Sequence, residues 1–157
     1  MRILILVVGP TDDTYSKEAC DVYFKRLKHY IKVEYKAIPN LKKINTLSND
    51  ERKSKEGELI LKAIEPGDFM VLLDEKGKEM TSRGFSQFFV KKMNAGTKRL
   101  VFVIGGAFGF SDDVYQKSNV KISLSQLTFS HQMIRVFLLE QIYRAFTIIR
   151  NEPYHND

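Results

Sequence analysis

A single α/β domain with a mostly parallel sheet is the fold class this sequence predicts. Short apolar runs at 3–8, 69–73 and 100–104 have the unbroken pattern of strands covered on both faces. Helix-forming segments alternate with them, and such alternation builds parallel sheets. The 157 residues amount to one domain, 1–157, with no internal repeat and no linker.

In chain order, 3–8 is the first strand. Ser16 is placed to cap a helix to about His29, with Ala19, Val22, Tyr23 and Leu27 on one face. Residues 33–38 alternate apolar and charged side chains, as in a half-exposed edge strand, and Pro39-Asn40 ends them. A lysine-rich stretch over 41–55 predicts a loop leading into a helix that ends near Ile64. Pro66-Gly67 is a turn, 69–73 the third strand and Asp74-Glu75-Lys76-Gly77 a loop. Thr81 or Ser82 caps a helix to about Asn94, and Gly96 stops it. After the strand at 100–104, Ser111 caps a short helix whose Asp112 and Asp113 suit its positive end. Residues 120–123 form a fifth strand, and Ser130 caps a long helix to about Ile149.

The last helix carries two apolar stripes: Ile134, Leu138, Ile142, Ala145 and Ile149, then Val136, Leu139, Tyr143 and Phe146. One stripe suffices to pack on a sheet. The second predicts a homodimer interface, the favoured case, or a helix buried from two sides in a monomer.

The net charge of +6 and pI of about 9.3 point to a polyanionic partner, although mild basicity is also common in proteins without one. Cys20 is the single cysteine, which excludes an intramolecular disulfide and a thiolate zinc cluster, and no metal is expected. The N-terminal apolar run is too short for a signal sequence, and nothing approaches a membrane span. A cytoplasmic protein is expected.

In open α/β sheets, ligands bind at loops beyond the carboxyl ends of strands. Two such loops stand out. Gly105-Gly106-Ala107-Phe108-Gly109 follows the fourth strand. It is neither a Walker loop nor a dinucleotide fingerprint, which needs G-x-G-x-x-G after the first strand. It is either a tight turn or a ligand loop. Ser123-Leu124-Ser125-Gln126-Leu127-Thr128-Phe129-Ser130-His131 follows the fifth strand. Its apolar side chains either cover the core or line a pocket for a flat ligand, with Ser125 and Thr128 offering hydroxyls. His131 can accept a proton or orient a substrate. Arg135 lies one turn on, on the same side. Arg144 is spaced to pair with Glu140, and the Tyr154-His155 tail either frays or covers a neighbouring site. A flavodoxin-like phosphate loop is disfavoured, because Gly9-Pro10-Thr11-Asp12-Asp13 carries two acids.

These residues together resemble the RlmH family, ribosomal large-subunit methyltransferase H, of the SPOUT class. The resemblance rests on 102–106 with Gly109, Ser123-Leu124-Ser125, Leu127-Thr128, His131, Arg135, Glu140-Gln141, Tyr143-Arg144-Ala145 and Pro153-Tyr154-His155. It implies a C-terminal trefoil knot, which ordinary topology would not predict, and a homodimer. It implies S-adenosylmethionine bound by Leu73, Gly105, Gly106, Gly109 and the run Leu124, Ser125, Gln126, Leu127, Thr128, Phe129 and Ser130. It implies N3 of a pseudouridine in 23S rRNA of the assembled ribosome as acceptor. His131, Arg135, Arg144, Tyr154 and His155 become the catalytic candidates, and Lys25, Arg26, Lys28, Lys32, Lys36, Lys42 and Lys43 candidate rRNA contacts. The family usually has proline before the histidine, where this chain has Ser130. Alternatives are a non-catalytic RNA-binding protein of the same fold and an enzyme acting on another RNA nucleotide.

Overall fold

A computed structural model describes residues 1–41 and 46–156. Strands β1 (Arg2–Val8), β2 (Val33–Ile38), β3 (Phe69–Glu79), β4 (Arg99–Ile104) and β5 (Val120–Ser123) form one sheet in the order β2-β1-β4-β3-β5. Every pairing is parallel. Between them run α1 (Thr14–Leu27), α2 (Asn49–Lys62), α3 (Ser82–Asn94) and α4 (Asp112–Lys117), and α5 (His131–Ile149) follows β5.

The unbroken apolar strands are explained by cover on both faces. Ile3, Ile5, Val7 and Phe102 turn to one side, toward α1, α3 and α5. Leu4, Leu6, Leu72 and Val103 turn to the other, toward Ile60 of α2 and Val114 of α4. The period-two alternation of side chains thus feeds two cores from one run. The charged alternation of β2 fits its place at the sheet edge.

The local signals at several helix ends are realised. Thr81 Oγ1 accepts from Gly84 N at 3.0 Å, and Ser130 Oγ accepts from Met133 N at 3.2 Å. Gly96 follows α3 with φ +71°. Elsewhere tertiary packing overrides them. The first helix starts at Thr14 with Asp13 at its cap, and the buried Ser16 hydroxyl has no partner among the described residues. Its inward face is Ser16, Cys20 and Leu27, whereas Val22 is exposed. α2 begins at Asn49, where Ser48 Oγ accepts from Glu51 N and Ser48 N donates to Glu51 Oε2. Part of the expected loop over 41–55, including Lys42 and Lys43, lies outside the described residues. Ser111 caps α4 in position only. Its hydroxyl makes no cap bond and packs where a side chain on Gly57 of α2 would go.

Two differences matter for the site. First, β3 does not stop at Leu73. Leu73 and Lys78 both register with Ile122, so 74–77 bulge out and the ladder resumes beyond them. Gly77 permits this: a Cβ there would lie 2.5 Å from the carbonyl carbon of Ile122 and 2.7 Å from two β5 amide nitrogens. Second, the two stripes of α5 have partners within the chain. The helix packs against both α1 and α3. Tyr143 meets Tyr23 and Tyr30 at ring distances of 6.1 and 5.6 Å, and Phe146 meets Phe89 at 5.2 Å. Only Phe137, among the large apolar residues of α5, is exposed.

Gly77→Ala should destabilise the fold by about 1–3 kcal/mol, the usual cost of forcing atoms into a packed interior. Urea unfolding should show a lower midpoint at unchanged slope; an unchanged midpoint would mean β5 can move aside freely.

Candidate active site

The bulge in β3 and the loops after β4 and β5 enclose a cleft of about 440 Å³. Leu73, Gly105, Gly106, Gly109, Leu124, Ser125, Leu127, Thr128 and Phe129 line it, together with His131 and Ile134 from the start of α5. Both loops singled out in the sequence therefore open on one cavity, along with the end of a third strand.

Each wall is held by local chemistry. In the glycine loop, Gly109 N donates to Gly106 O at 3.2 Å, and Gly109 has φ +80°, where side chains are strained. A Cβ on Gly105 would press the Phe110 ring at 2.9 Å, and one on Gly106 would overlap the Glu56 carboxylate. The turn and the ligand loop are thus compatible. After β5, Ser123 Oγ donates to Ser125 O at 2.8 Å and Leu127 N donates to Ser125 Oγ at 3.0 Å. Leu127 and Phe129 line the cleft from this loop and remain 74% and 39% exposed. Gln126 and Ser130 do not line the cleft. Gln126 Nε2 donates to Glu79, and Ser130 is occupied as the cap of α5.

The catalytic candidates do not assemble in one place. His131 is exposed on the cleft. Arg135 is not beside it, being 1% exposed and turned inward. Its Nη1 donates to Thr11 Oγ1 at 2.8 Å, and its Nη2 to the carbonyls of Val8 and Gly9 at 3.0 and 3.1 Å. Gln132 makes the same join, accepting from Asp12 N and donating to Pro10 O. The i,i+4 spacing set both residues on one side of an isolated helix; at its first turn, one looks out and the other looks under the sheet edge.

Arg144 pairs with Glu140 at 2.5 Å and lies 4.8 Å from the Tyr154 ring centroid and 3.4 Å from His155 Nδ1. Tyr154 donates to Glu140 at 3.2 Å. Burial first, then hydrogen bonding to Tyr23 and the Glu140 charge, push the Tyr154 phenol up. The tail is therefore docked rather than frayed. At about 1.5 Å of rise per residue, this cluster stands roughly 20 Å along α5 from His131.

Three contributors escaped the sequence. Tyr115 donates to Asp74 Oδ2 at 2.5 Å at the cleft wall, and its phenol is pushed up to about 12 by burial and that bond. Phe108 stands 43% exposed on the glycine loop. Glu56 of α2 is buried behind Gly106. Its carboxyl is pushed up by burial, with Arg52 partly offsetting this. The only signal for it was a glycine, Gly57, inside a helical run. No group of acids, histidines and cysteines among the described residues has the arrangement of a metal site.

A family model described as a predicted SPOUT methyltransferase matches residues 1–155. The chain is 57% identical over 157 residues to the ribosomal RNA large subunit methyltransferase H of Parabacteroides distasonis, covering all of both chains. It is 54% identical, again over both full lengths, to the protein of that name from Bacteroides thetaiotaomicron.

The chain belongs to the RlmH family of SPOUT methyltransferases.

At the level of fold alone, it resembles a probable methylase family protein from Haemophilus influenzae Rd KW20, with TM-score 0.56 and 11% identity over 99% of this chain and 70% of that one. For an RlmH-family chain, the convergence of three strand ends on one cleft marks that cleft as the candidate active site.

Glu56 gives a pH test of this wall. Its folded pKa is raised above the ordinary value of 4.5, so the folded state keeps a proton the unfolded state loses. Stability from this group therefore falls as pH rises through that window. Glu56→Gln should gain thermal midpoint relative to the parent between pH 4 and pH 7. A difference that does not vary with pH would remove the buried carboxyl as its source.

Proposed function

We propose that this chain transfers a methyl group from S-adenosylmethionine to N3 of a pseudouridine in 23S rRNA of the assembled ribosome. We further infer a homodimer with a knotted C-terminal half, working in the cytoplasm. The observation that carries the proposal is the family match over 1–155, whose loop residues meet on one cleft.

The cleft fits the donor. Its volume falls in the usual range for small-molecule sites. Leu73, Ile104, Leu124 and Leu127 offer apolar walls to a flat purine, the glycine loop offers bare backbone, and Asp74 offers a carboxylate to a cationic group. Leu73, Gly105, Gly106, Gly109 and the lining residues of 124–129 would hold it. Gln126 and Ser130 would act by shaping the loop. Bound there, the donor supplies an electrophilic methyl carbon.

The chain's own residues have two tasks. One is to hold N3 in line with that carbon. The other is to take the proton that N3 carries near neutral pH. His131, exposed on the cleft, is suited to be the base or to orient the ring. Arg144, Tyr154 and His155 form a ready cluster of donors and charge. Their separation from His131 along α5 supports service to the partner subunit's cleft. Arg135 is a positioning residue, fixing the start of α5 against the loop after β1.

Labelled methyl should pass from S-adenosylmethionine to ribosomes lacking the modification, and mass spectrometry should find it on N3 of a pseudouridine. Label elsewhere in rRNA would change the acceptor. Donor binding without transfer to these ribosomes would mean that the acceptor is wrong, whereas RNA binding with no donor binding would leave a non-catalytic RNA-binding protein. His131→Ala should cut kcat by about 10²–10⁴-fold, the range for general acid–base groups, while donor affinity holds.

Two variants test the shared site. His131→Ala and Arg144→Ala should each be inactive alone, yet regain partial activity when co-expressed as mixed dimers. No recovery would put both groups in one subunit's site. Ribosome affinity should also fall steeply with salt if exposed Lys25, Lys28, Lys32 and Lys36 contact phosphates; a flat response would remove them.

A further inference from the structure

The glycine loop carries a large aromatic, Phe108, at the mouth of the cleft. Phe108 lines the cleft yet is 43% exposed. It is not bare on every side: the guanidinium carbon of Arg52, from α2, lies 5.3 Å from its ring centroid. The Arg52 Nε is buried and has no hydrogen-bond partner among the described residues, and the charge of Arg52 also acts on Glu56 one turn along α2. A few residues away the pattern recurs. The Tyr115 ring borders the cleft under Lys121 Nζ, 5.3 Å from its centroid, and Lys76 lines the same wall.

A rim of rings, each with a cation beside it, has a definite complement. Rings take up flat unstacked bases, and the neighbouring cations meet the phosphates that link them. An enzyme acting on a base edge must have that base free of its stack, and a ring at the mouth of the cleft compensates for the lost stacking. α2 and the loop are also locked together. The Glu56 carboxylate fills the space a side chain on Gly106 would occupy, and Gly57 admits Ser111. The platform is thus rigidly joined to the wall of the donor cleft.

We propose that Phe108, backed by Arg52, is a stacking platform for an unstacked base of the RNA substrate, making α2 and the tip of the glycine loop part of acceptor recognition. This rests on the reading of the chain as an RNA methyltransferase.

The test uses the full-length protein and large ribosomal subunits from cells lacking the modification. Subunit affinity is measured by co-sedimentation, donor affinity by calorimetry, and methyl transfer separately. Phe108→Ala should weaken subunit binding on the order of ten-fold or more, as loss of one stacked base does. It should raise KM for subunits in step and leave donor affinity unchanged. Phe108→Tyr should restore binding. Phe108→Leu, which keeps apolar bulk for folding, should stay weak. Arg52→Gln should fall between.

Unchanged subunit binding in folded Phe108→Ala or Phe108→Leu would overturn the platform. Equal loss of donor affinity would also overturn it, by placing the ring against the donor. If the parent binds subunits through Phe108 but transfers no methyl, the reaction reading fails and the platform stands. If it transfers methyl irrespective of Phe108, the reverse holds.

Discussion

The close passage of β5 over Gly77 is the constraint on which the cleft depends. Backbone atoms of Ile122 and Ser123 occupy the space a side chain would take. That contact lets β3 resume pairing after its bulge, so Ile122 is gripped twice, by Leu73 and by Lys78. A four-residue strand at a sheet edge would otherwise be a weak anchor for the long loop that follows it. Held this way, the loop after β5 is delivered beside the loops after β3 and β4. The same economy of side chains recurs at Gly105, Gly106 and Gly57, where a ring, a carboxylate and a hydroxyl fill the vacated space.

A second layer of control is electrostatic and buried. Arg135 is among the largest side chains fully removed from solvent. An unpaired charge in that position would be strongly destabilising. Its two terminal nitrogens donate to neutral acceptors, Thr11, Tyr35 and the carbonyls of Val8 and Gly9, while its buried Nε has no hydrogen-bond partner among the described residues. The result ties the first turn of α5 to the opposite end of the chain, so the residue next to the cleft starts from a fixed backbone. Arg99 does similar work at the other end of the sheet, with Asp68 bidentate and Glu65 in support. Both arginines serve order through geometry, which a lysine could not reproduce with a single ammonium.

The helix α5 separates two chemically different ends. Its start faces the cleft with His131, and its far half carries Arg144 in contact with Glu140, Tyr154 and His155. Between them the helix is packed on the sheet and flanked by α1 and α3, so neither end can swing toward the other. This packed helix is therefore a spacer as much as a core element. That is why one chain holds the parts of the proposed site without bringing them together.

Much of the fold was legible in local pattern. Unbroken apolar runs marked the central strands, charged alternation marked β2 as an edge, and Thr81, Gly96 and Ser130 marked helix ends that the structure realises. The two loops that line the cleft were legible too, because glycine clustering and misplaced apolar residues are local signals. Periodicity and capping depend on neighbours within a turn or two, so sequence determines them. Tertiary structure alone decided the bulge at 74–77, the burial of Arg135, the pairing of Glu56 with Gly106 and the docking of the tail on Arg144. Each depends on which distant segment arrives at that point and on whether water is excluded there. No spacing within one element encodes that, because a charged side chain looks the same in sequence whether it meets solvent, a carbonyl or another ring.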